Sequence, residues 1–235
     1  IARLRHDGKD VVLVTSGAIA AGMQTLKMRE RPTKLPDLQM AAAVGQTRLM
    51  SLYTDMFAAK GCIIGQILLT SDNFEQRMRT TNAKRTIENL LRNGVVPIIN
   101  ENDAITDEEI RADLVLGDND LLATLVSKLI RADLMLLLTT ADGVRAPSTR
   151  GRTKRVSFIE DVNRKVMRLV TPDDNSLSKG GMASKLHAAR DAAKSGCIAI
   201  IANGRVTGTI GRVMKGEDVG TIVLSALKQH RRSGA

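Results

Sequence analysis

Short apolar segments alternate along the chain with longer segments whose apolar positions recur every three or four residues. The longer segments, such as PDLQMAAAVGQTRLMSLYTDMFAAKG and SDNFEQRMRTTNAKRTIENLLRNG, open with turn or capping residues and end in glycine, which is typical of helices. The short segments have the length of strands and cover residues 11–14, 63–69, 95–99, 134–138, 198–201 and 221–224. Strand and helix in alternation predict an α/β fold whose mostly parallel sheet is covered on both faces.

The length of 235 residues is enough for one sizeable hydrophobic core, and we predict a single domain over residues 1–235. The opening segment, IARLRHDGKD, has the pattern of a helix tail that stops at Gly8 and leads into the apolar segment VVLV. A helix tail before a strand implies an earlier strand of the same βαβ unit, so we expect part of the fold to precede Ile1.

The chain is strongly basic, with a formal net charge of +10 and a pI of about 10.0. Such a charge would suit nucleic acid or an anionic membrane surface. With no Trp, one Tyr and three Phe, however, the chain has few aromatic side chains for stacking on bases, and we expect no nucleic-acid partner. We interpret the densest basic run, RGRTKR at residues 150–155, as a solvated loop, with a phosphate or regulatory contact as the alternative.

Cys62 and Cys197 each begin an apolar segment, CIIGQILL and CIAIIA, and are predicted to be buried thiols in strands. Such cysteines fit a reducing cytoplasm, and no uninterrupted apolar segment is long enough to predict a membrane span. The sequence also has no signal-peptide pattern. The three histidines lack the spacing of metal ligands, so we predict no zinc site built from protein side chains.

Ligands of open parallel sheets bind outside the carboxyl ends of the strands, so the residues that follow each predicted strand carry most weight. TSGAIAAG follows the first apolar segment, and its backbone amides and Ser16 hydroxyl could hold a substrate carboxylate. Plain N-capping of the next helix by Ser16 explains the serine about as well. The sequence patterns of Walker A loops, dinucleotide-binding loops and nucleophile elbows are absent.

The segment SKGGMASK combines paired glycines with Lys185 at the start of a predicted helix. Glycines allow close backbone approach, helix N-terminal amides point at an anion, and a lysine adds positive charge. The segment therefore has the outline of a phosphate site, and a glycine-rich helix start without a ligand is the alternative.

The richest polar region is IINENDAITDEEIRADLVLGDND, where NEND leaves a strand and GDND enters a helix. Mixed carboxylates and amides suit recognition of an ammonium group, and a divalent-cation site is the alternative, although no EF-hand pattern occurs. Capping the helix needs one short side chain, from Asp118 or Asn119, which leaves two polar side chains unexplained. We predict that the spacer AITDEEIRADLVL forms an exposed hairpin that folds the two clusters towards one pocket.

Six motifs, taken together and in order, closely resemble the amino acid kinase family, and within it the branch that phosphorylates glutamate. They are VTSGAIAAG, AAAVGQTRL, INENDA, GDNDLLA, LLLTTADGV and KGGMASKLHAA. The resemblance implies a three-layer αβα sandwich with a mostly parallel central sheet. It also implies ATP-dependent phosphorylation of the side-chain carboxylate of L-glutamate to L-glutamyl 5-phosphate, the first step of proline biosynthesis.

The resemblance further implies Mg²⁺ bound with the nucleotide, a cytoplasmic homodimer or homotetramer, and proline as a possible feedback inhibitor. A non-catalytic amino-acid sensor on the same fold, or another carboxylate kinase of the family, is the alternative function. The kinase chemistry agrees with the scarcity of histidine, because a carboxylate nucleophile is already ionised and needs no general base.

Roles follow from the resemblance position by position. Ser16, Asp103 and Asn119 are implied to contact glutamate. Asp120 is implied to hold catalytic lysines in place, and Lys185 to stabilise the transferring phosphoryl group. The implied nucleotide site consists of Thr139, Thr140, Lys179, Gly180, Gly181, Met182, Ala183, Ser184 and Lys185.

The sequence departs from the family pattern in several places. The family's first strand, with its lysine and glycine turn, is not among these residues, so we expect the chain as given to be inactive or nearly so. Thr140 stands where aspartate is usual, and Lys179 and Ala183 stand where threonine and a small hydroxyl residue are common. We therefore expect nucleotide contacts to differ in detail, and we expect no C-terminal PUA domain after the basic tail LKQHRRSGA.

Overall fold

The computed structural model of the protein describes residues 1–70, 72–105, 118–148, 152–170 and 181–224. The chain forms two compact units, Ile1–Leu114 and Val115–Ala235, each with its own sheet. The single domain that the length predicts over residues 1–235 stays a prediction.

Helices and strands alternate in the first unit as the sequence predicts. Its elements are α1 (Ala2–His6), β1 (Leu13–Val14), α2 (Ala18–Thr25), α3 (Leu35–Ala58), β2 (Ile64–Leu69), α4 (Asp72–Glu75), α5 (Arg77–Arg92) and β3 (Val96–Glu101). The three strands are parallel in the order β1–β3–β2, and Ile99 of β3 lies between Val14 and Ile67. Every residue of β3 is buried, as expected for the central strand of a parallel sheet.

Helices α2 and α3 meet through their backbones. Gly22 and Gly45 face each other, and a Cβ atom on Gly45 would lie 1.8 Å from the carbonyl oxygen of Ala18 and 2.3 Å from the Gly22 nitrogen. Glycine destabilises a helix interior by roughly 0.5–1 kcal/mol relative to alanine, so its presence at both positions reflects this close approach. The neighbouring Ala41 and Ala42 are also buried. The glycine contact therefore sets the distance between the two helices.

The second unit contains more strands than the first, and its two longest described helices have 12 and 13 residues. Its elements are α6 (Asp118–Leu129), β4 (Leu134–Thr139), β5 (Arg145–Pro147), β6 (Thr153–Arg155), β7 (Phe158–Ile159), α7 (Arg164–Met167), α8 (Met182–Lys194), β8 (Ile198–Asn203), α9 (Thr209–Met214) and β9 (Gly220–Val223). The sheet has the order β4–β8–β9–β7, in which β4 pairs with β8 and β7 pairs with β9 in parallel, while β8 and β9 are antiparallel. β5 and β6 form a separate antiparallel pair.

An alanine-rich face of α8 forms the centre of the second core. The buried residues of this helix are Ser184, Leu186, Ala188, Ala189, Ala192 and Ala193. All of them except the polar Ser184 belong to one buried hydrophobic cluster, which also contains Met135 and Leu137 of β4 and Ile201 of β8. Small side chains let the helix lie close to the sheet, so the position of its first turn is tightly fixed.

The predicted strands are confirmed, since all six occur with ends displaced by at most two residues. The α/β class and the mostly parallel pairing are confirmed as well. The predicted helix after β2 is divided in two, because Gln76 is extended (φ −94°, ψ 108°) between α4 and α5. The spacer between NEND and GDND lies almost entirely outside the described residues, and the hairpin expected there stays a prediction.

The interpretation of residues 150–155 as a solvated loop is wrong for its second half. Thr153–Arg155 is a strand, and the Arg155 side chain, 19% exposed, pairs with Asp218 at 2.7 Å and donates to the Gly220 carbonyl. The hydrogen bonds from Arg155 and Ser157 lower the pKa of Asp218, and the bond to Asp218 raises the pKa of Arg155. Strand alternation turns the Arg155 side chain inwards, where it joins β6 to the start of β9.

The two cysteines are buried as predicted, but their location within strands is wrong. Cys62 lies before β2 and Cys197 immediately before β8, so each fills the core at a strand entrance. Within the described part of the chain, no helix combines the length and apolarity that crossing a membrane requires.

Candidate functional site

The three strands of the first unit end side by side, which brings the residues after them together. The Thr15 amide donates to the Ile99 carbonyl at 2.8 Å, and the Asn102 amide donates to the Leu69 carbonyl at 2.9 Å. The segments TSG and NEND therefore leave the same edge of the sheet, as expected for the carboxyl ends of parallel strands.

A pocket of about 250 Å³ opens at this edge. We call it the amide pocket; its lining residues are Ala18, Ala42, Ala43, Gln46, Thr47, Gln66, Leu68, Glu101, Asn102, Asp103 and Ala104. Glu101 is the last residue of β3, and Asn102, Asp103 and Ala104 follow it. Ala18 comes from α2, and Ala42 and Ala43 come from α3. Because the backbone of Ala18 meets Gly45 in the glycine contact, the packing of these helices also positions Ala18 in the pocket wall.

Gln46, which lines the pocket, meets a second side-chain amide, that of Asn100. Asn100 Nδ2 donates to Gln46 Oε1 at 2.9 Å, and Asn100 is 1% exposed. The other polar atoms of the pair, Gln46 Nε2 and Asn100 Oδ1, are buried and have no hydrogen-bond partner among the described residues. Rotating both amides would only exchange the two ends, so one donor and one acceptor remain available in either assignment.

Ser16 lies at the turn after β1, exposed to solvent, and is not among the residues that line the amide pocket. The alternative that Ser16 caps α2 is wrong. The N-cap is Gly17 in the left-handed region (φ 104°), and its helix has no side-chain cap. The turn is tied to α3 instead, since the hydroxyl groups of Thr15 and Tyr53 lie 2.6 Å apart in a hydrogen bond.

The topology of the second unit brings two helix N-termini to one edge of its sheet. Helix α8 has 13 residues and β8 has 6, so both are about 20 Å long. Residues 195–197 join them directly, which returns the helix start to the carboxyl end of the strand. Helix α6 leads into β4 through residues 130–133 in the same way, and α6 packs against α8.

Asp120 in α6 and Lys185 in α8 form an ion pair at this edge. Lys185 Nζ lies 3.1 Å from Asp120 Oδ1 and 3.0 Å from Oδ2, and the two side chains are 13% and 12% exposed. Ser184 Oγ donates to Asp120 Oδ2 at 2.9 Å. One carboxylate thus holds two donors from consecutive residues, and the ammonium group is fixed at the start of α8.

The last three residues of GDND are part of a helix rather than a cap before it. Helix α6 begins at Asp118, so Asn119 and Asp120 lie in its first turn, and capping by Asn119 is wrong. Asn119 Oδ1 is buried and finds no hydrogen-bond partner within the described ranges. The side chain of Asp118 lies outside the described residues.

The start of α8 has the features expected of an anion site. Gly181 is the N-cap. Among the described residues, no side chain caps the helix, and a Cβ atom on Gly181 would meet nothing within 4 Å. The first amides of the helix therefore have no side-chain acceptor from the cap residue. The helix includes Met182 and Ala183, whereas Lys179 and Gly180 lie outside the described residues.

Thr139 and Thr140 lie at the carboxyl end of β4. Their carbonyl groups accept hydrogen bonds from the Gly204 amide at 2.8 Å and the Asn203 side chain at 3.1 Å. The two threonines thus belong to the same sheet edge as the first turn of α8. Their predicted contacts with a nucleotide stay predictions.

His187 follows the ion pair on the same helix. Burial lowers the pKa of its imidazole, and the neighbouring Arg190 lowers it further. The neutral ring is therefore favoured, and it adds no charge beside Lys185.

Several residues of these sites were not predicted. Gln46, Tyr53 and the hydroxyl of Ser184 orient neighbouring groups, and a polar residue on a helix gives no sequence signal of such a bond. The glycine contact did leave a signal, because a glycine inside a helical pattern indicates close packing.

Comparison with known proteins supplies the family. Residues 1–203 match the amino acid kinase family. A glutamate 5-kinase of Citrifermentans bemidjiense is 43% identical over 228 residues, a match that covers 96% of this chain and 60% of the relative. A glutamate 5-kinase of Thermoanaerobacter sp. is 40% identical over 230 residues, covering 97% and 61%. The chain thus spans about 60% of the length of the curated relatives it matches.

Solved structures with low sequence identity have a similar fold. A carbamate kinase from Giardia lamblia bound to AMP-PNP gives a TM-score of 0.61 at 17% identity and covers 95% of this chain and 86% of its own. An isopentenyl phosphate kinase in a substrate complex gives 0.58 at 12% identity, covering 94% and 87%. These likenesses confirm the predicted fold class.

Proposed function

Since the chain belongs to the amino acid kinase family, we propose that it phosphorylates the side-chain carboxylate of L-glutamate with ATP, as a glutamate 5-kinase. The observation that carries this proposal is the Asp120–Lys185 pair at the start of α8, where the described residues provide no side-chain cap. A fixed ammonium group and helix N-terminal amides together suit a phosphoryl group in transfer. The choice of glutamate is supported by the names of the relatives.

The reaction is a direct phosphoryl transfer. A carboxylate oxygen of glutamate bonds to the γ-phosphorus of ATP while the bond from that phosphorus to the bridging oxygen of ADP breaks. The products are ADP and L-glutamyl 5-phosphate, and no proton moves because the carboxylate is ionised at neutral pH. Catalysis therefore consists of alignment and of neutralising charge on the transferring oxygens.

On the nucleotide side, Lys185 is proposed to stabilise the transferring phosphoryl oxygens, and Asp120 to keep its ammonium group in place. The amides of Gly181 to Ser184, with Thr139 and Thr140, are proposed to line the nucleotide site. We place Mg²⁺ with the nucleotide, where it would neutralise phosphate charge. Among the described residues, no group of three or more His, Cys, Asp or Glu side chains is arranged to hold a metal ion.

On the amino-acid side, the amide pocket is proposed to bind glutamate, with Asp103 as a ligand of its ammonium group. A pocket of about 250 Å³ suits a small metabolite, and its lining of amides and carboxylates suits a zwitterion. Roles for Ser16 and Asn119 in binding glutamate stay predictions of the resemblance, as do proline inhibition, the cytoplasmic location and the homo-oligomer.

The test uses full-length protein with ATP, Mg²⁺ and free amino acids. We expect ADP release that requires glutamate and an acyl phosphate that hydroxylamine traps. Equal or better turnover with aspartate, N-acetylglutamate or UMP would move the protein to another branch of the family, and glutamate binding without ADP release would indicate a sensor. Asp103→Ala should raise KM for glutamate far more than KM for ATP, and an equal rise in both would overturn the role of Asp103.

A further inference from the structure

We propose that the Ser184 hydroxyl positions Asp120, and through it Lys185, rather than binding the nucleotide. This inference rests on the proposed phosphoryl transfer. Ser184 is 4% exposed, and its Oγ donates to Asp120 Oδ2 at 2.9 Å. The hydroxyl is thus turned into the protein, towards the carboxylate that holds the lysine.

A hydroxyl group carries a single hydrogen atom, which limits what Ser184 can donate to. While that hydrogen bonds Asp120, it cannot also bond a phosphate oxygen. The backbone of Ser184 belongs to the first turn of α8, which the proposed function places at the nucleotide, and its amide is independent of the side chain. The role that the resemblance implies for this residue therefore belongs to its backbone, and its side chain does something else.

The geometry around Asp120 shows what the hydroxyl adds. The terminal torsion of an aspartate side chain is broad, so a carboxylate bound by one flexible lysine can rotate and take the ammonium group with it. Here Lys185 Nζ lies about equally far from both oxygens, at 3.1 and 3.0 Å, and Ser184 adds a short, buried donor to Oδ2. The second donor fixes the plane of the carboxylate, and with it the direction of the ammonium group.

Kinetics of Ser184→Ala and Ser184→Thr in full-length protein test the inference. Loss of a hydrogen bond to a charged group predicts that Ser184→Ala lowers kcat by roughly tenfold to a hundredfold. KM for ATP should stay within about twofold, and Ser184→Thr should keep most of kcat because threonine retains the hydroxyl. Ser195→Ala is the matched control, since the Ser195 hydroxyl donates to the Ala192 carbonyl at the other end of α8, and kcat of this variant should be unchanged.

Urea unfolding of Ser184→Ala, Asp120→Ala and the double variant supplies a second measurement. The two changes should be clearly non-additive if the side chains act as a pair. A Ser184→Ala variant with higher KM for ATP and unchanged kcat, or additive effects on unfolding, would overturn the inference. If wild-type protein releases no ADP with glutamate, the proposed function fails; if wild type is active and Ser184→Ala matches it, only the role of Ser184 fails.

Discussion

The amide pocket of the first unit and the Asp120–Lys185 pair of the second unit differ in how far their polar groups are already hydrogen-bonded. In the pocket, small residues form part of the wall, and two buried amide atoms remain without partners in the described structure. At the ion pair, each charge is already bound to the other, and Ser184 adds a further bond to the carboxylate.

The difference matches two different tasks. A binding pocket gains selectivity when it keeps hydrogen-bonding atoms available, because a ligand that lacks the matching group leaves them unpaired. A group that stabilises a transition state must be in position before negative charge develops on the transferring phosphoryl group. Hydrogen bonds and ion pairs to neighbouring side chains hold it there. Variants of the pocket should therefore change KM, and variants of the pair should change kcat.

The largest effect is expected from Lys185→Met. Removing the ammonium group should lower kcat by about 10²–10³-fold, with a much smaller change in KM for glutamate. Steady-state kinetics measures both. Lys194→Met, at the exposed end of the same helix, is the control and should leave kcat unchanged. A rise in KM for glutamate at constant kcat would contradict the division of tasks.

Gly45→Ala should have the next largest effect, and in the other unit. A Cβ atom 1.8 Å from the Ala18 carbonyl oxygen forces α2 and α3 apart. We expect a loss of about 1–3 kcal/mol in the free energy of unfolding, together with a higher KM for glutamate because Ala18 and Ala42 line the pocket.

A matched glycine provides the control for this variant. Gly211 lies within α9, and a Cβ atom there would meet nothing within 4 Å among the described residues. Gly211→Ala should therefore stabilise the protein by about 0.5–1 kcal/mol. Equal changes in the urea midpoint for the two variants would show that the helix contact is not tight.

Gln46→Ala should have a moderate effect confined to the amino-acid side. It leaves the Asn100 amide buried without its partner, so we expect KM for glutamate to rise about fivefold to tenfold and KM for ATP to stay constant. Thr54→Ala, on the same helix, removes a hydrogen bond to the Met50 carbonyl and is the control. A parallel rise of both KM values would speak against a pocket function of the amide pair.

The smallest effect is expected on the pH dependence of stability, through His187 of the second unit. The pKa of His187 is lowered in the folded protein, so its contribution to stability is complete above about pH 6.5 and decreases as pH falls through the folded pKa. His187→Gln should flatten the fall in Tm between about pH 7.5 and pH 5.5. Identical slopes for variant and wild type would show that the ring is too well solvated to matter.

Apolar runs predicted the strands well because buried parallel strands are nearly continuous in hydrophobic residues. The antiparallel pair of β5 and β6 was missed, because its strands are not rich in hydrophobic residues. Its sequences, RAP and TKR, have no apolar alternation, and Arg155 is held by Asp218, 63 residues away in the chain. The sequence alone does not distinguish a charged residue that is paired with a distant partner from one that is exposed to solvent.

The candidate sites divide in the same way. The Asp120–Lys185 pair followed from the resemblance, and the topology explains it, since two helices that lead into adjacent strands must start at the same edge. Gln46 could not be found, because helical periodicity shows which face is apolar but not which polar side chain turns inwards. The sequence predicted correctly that Ser16 lies at the turn after β1. The N-cap of α2, however, is Gly17 and not Ser16, and the positive φ of Gly17 is visible only in the structure.

The bond between Tyr53 and Thr15 has an optical consequence. These 235 residues contain one tyrosine and no tryptophan, so their near-ultraviolet absorbance and emission come almost entirely from one phenol ring. That ring donates or accepts a hydrogen bond at the residue preceding Ser16, and the second unit contributes only the weak signal of phenylalanine. The chain thus carries a built-in chromophore at the turn after β1, and any ligand that disturbs this turn should change its spectrum without a label.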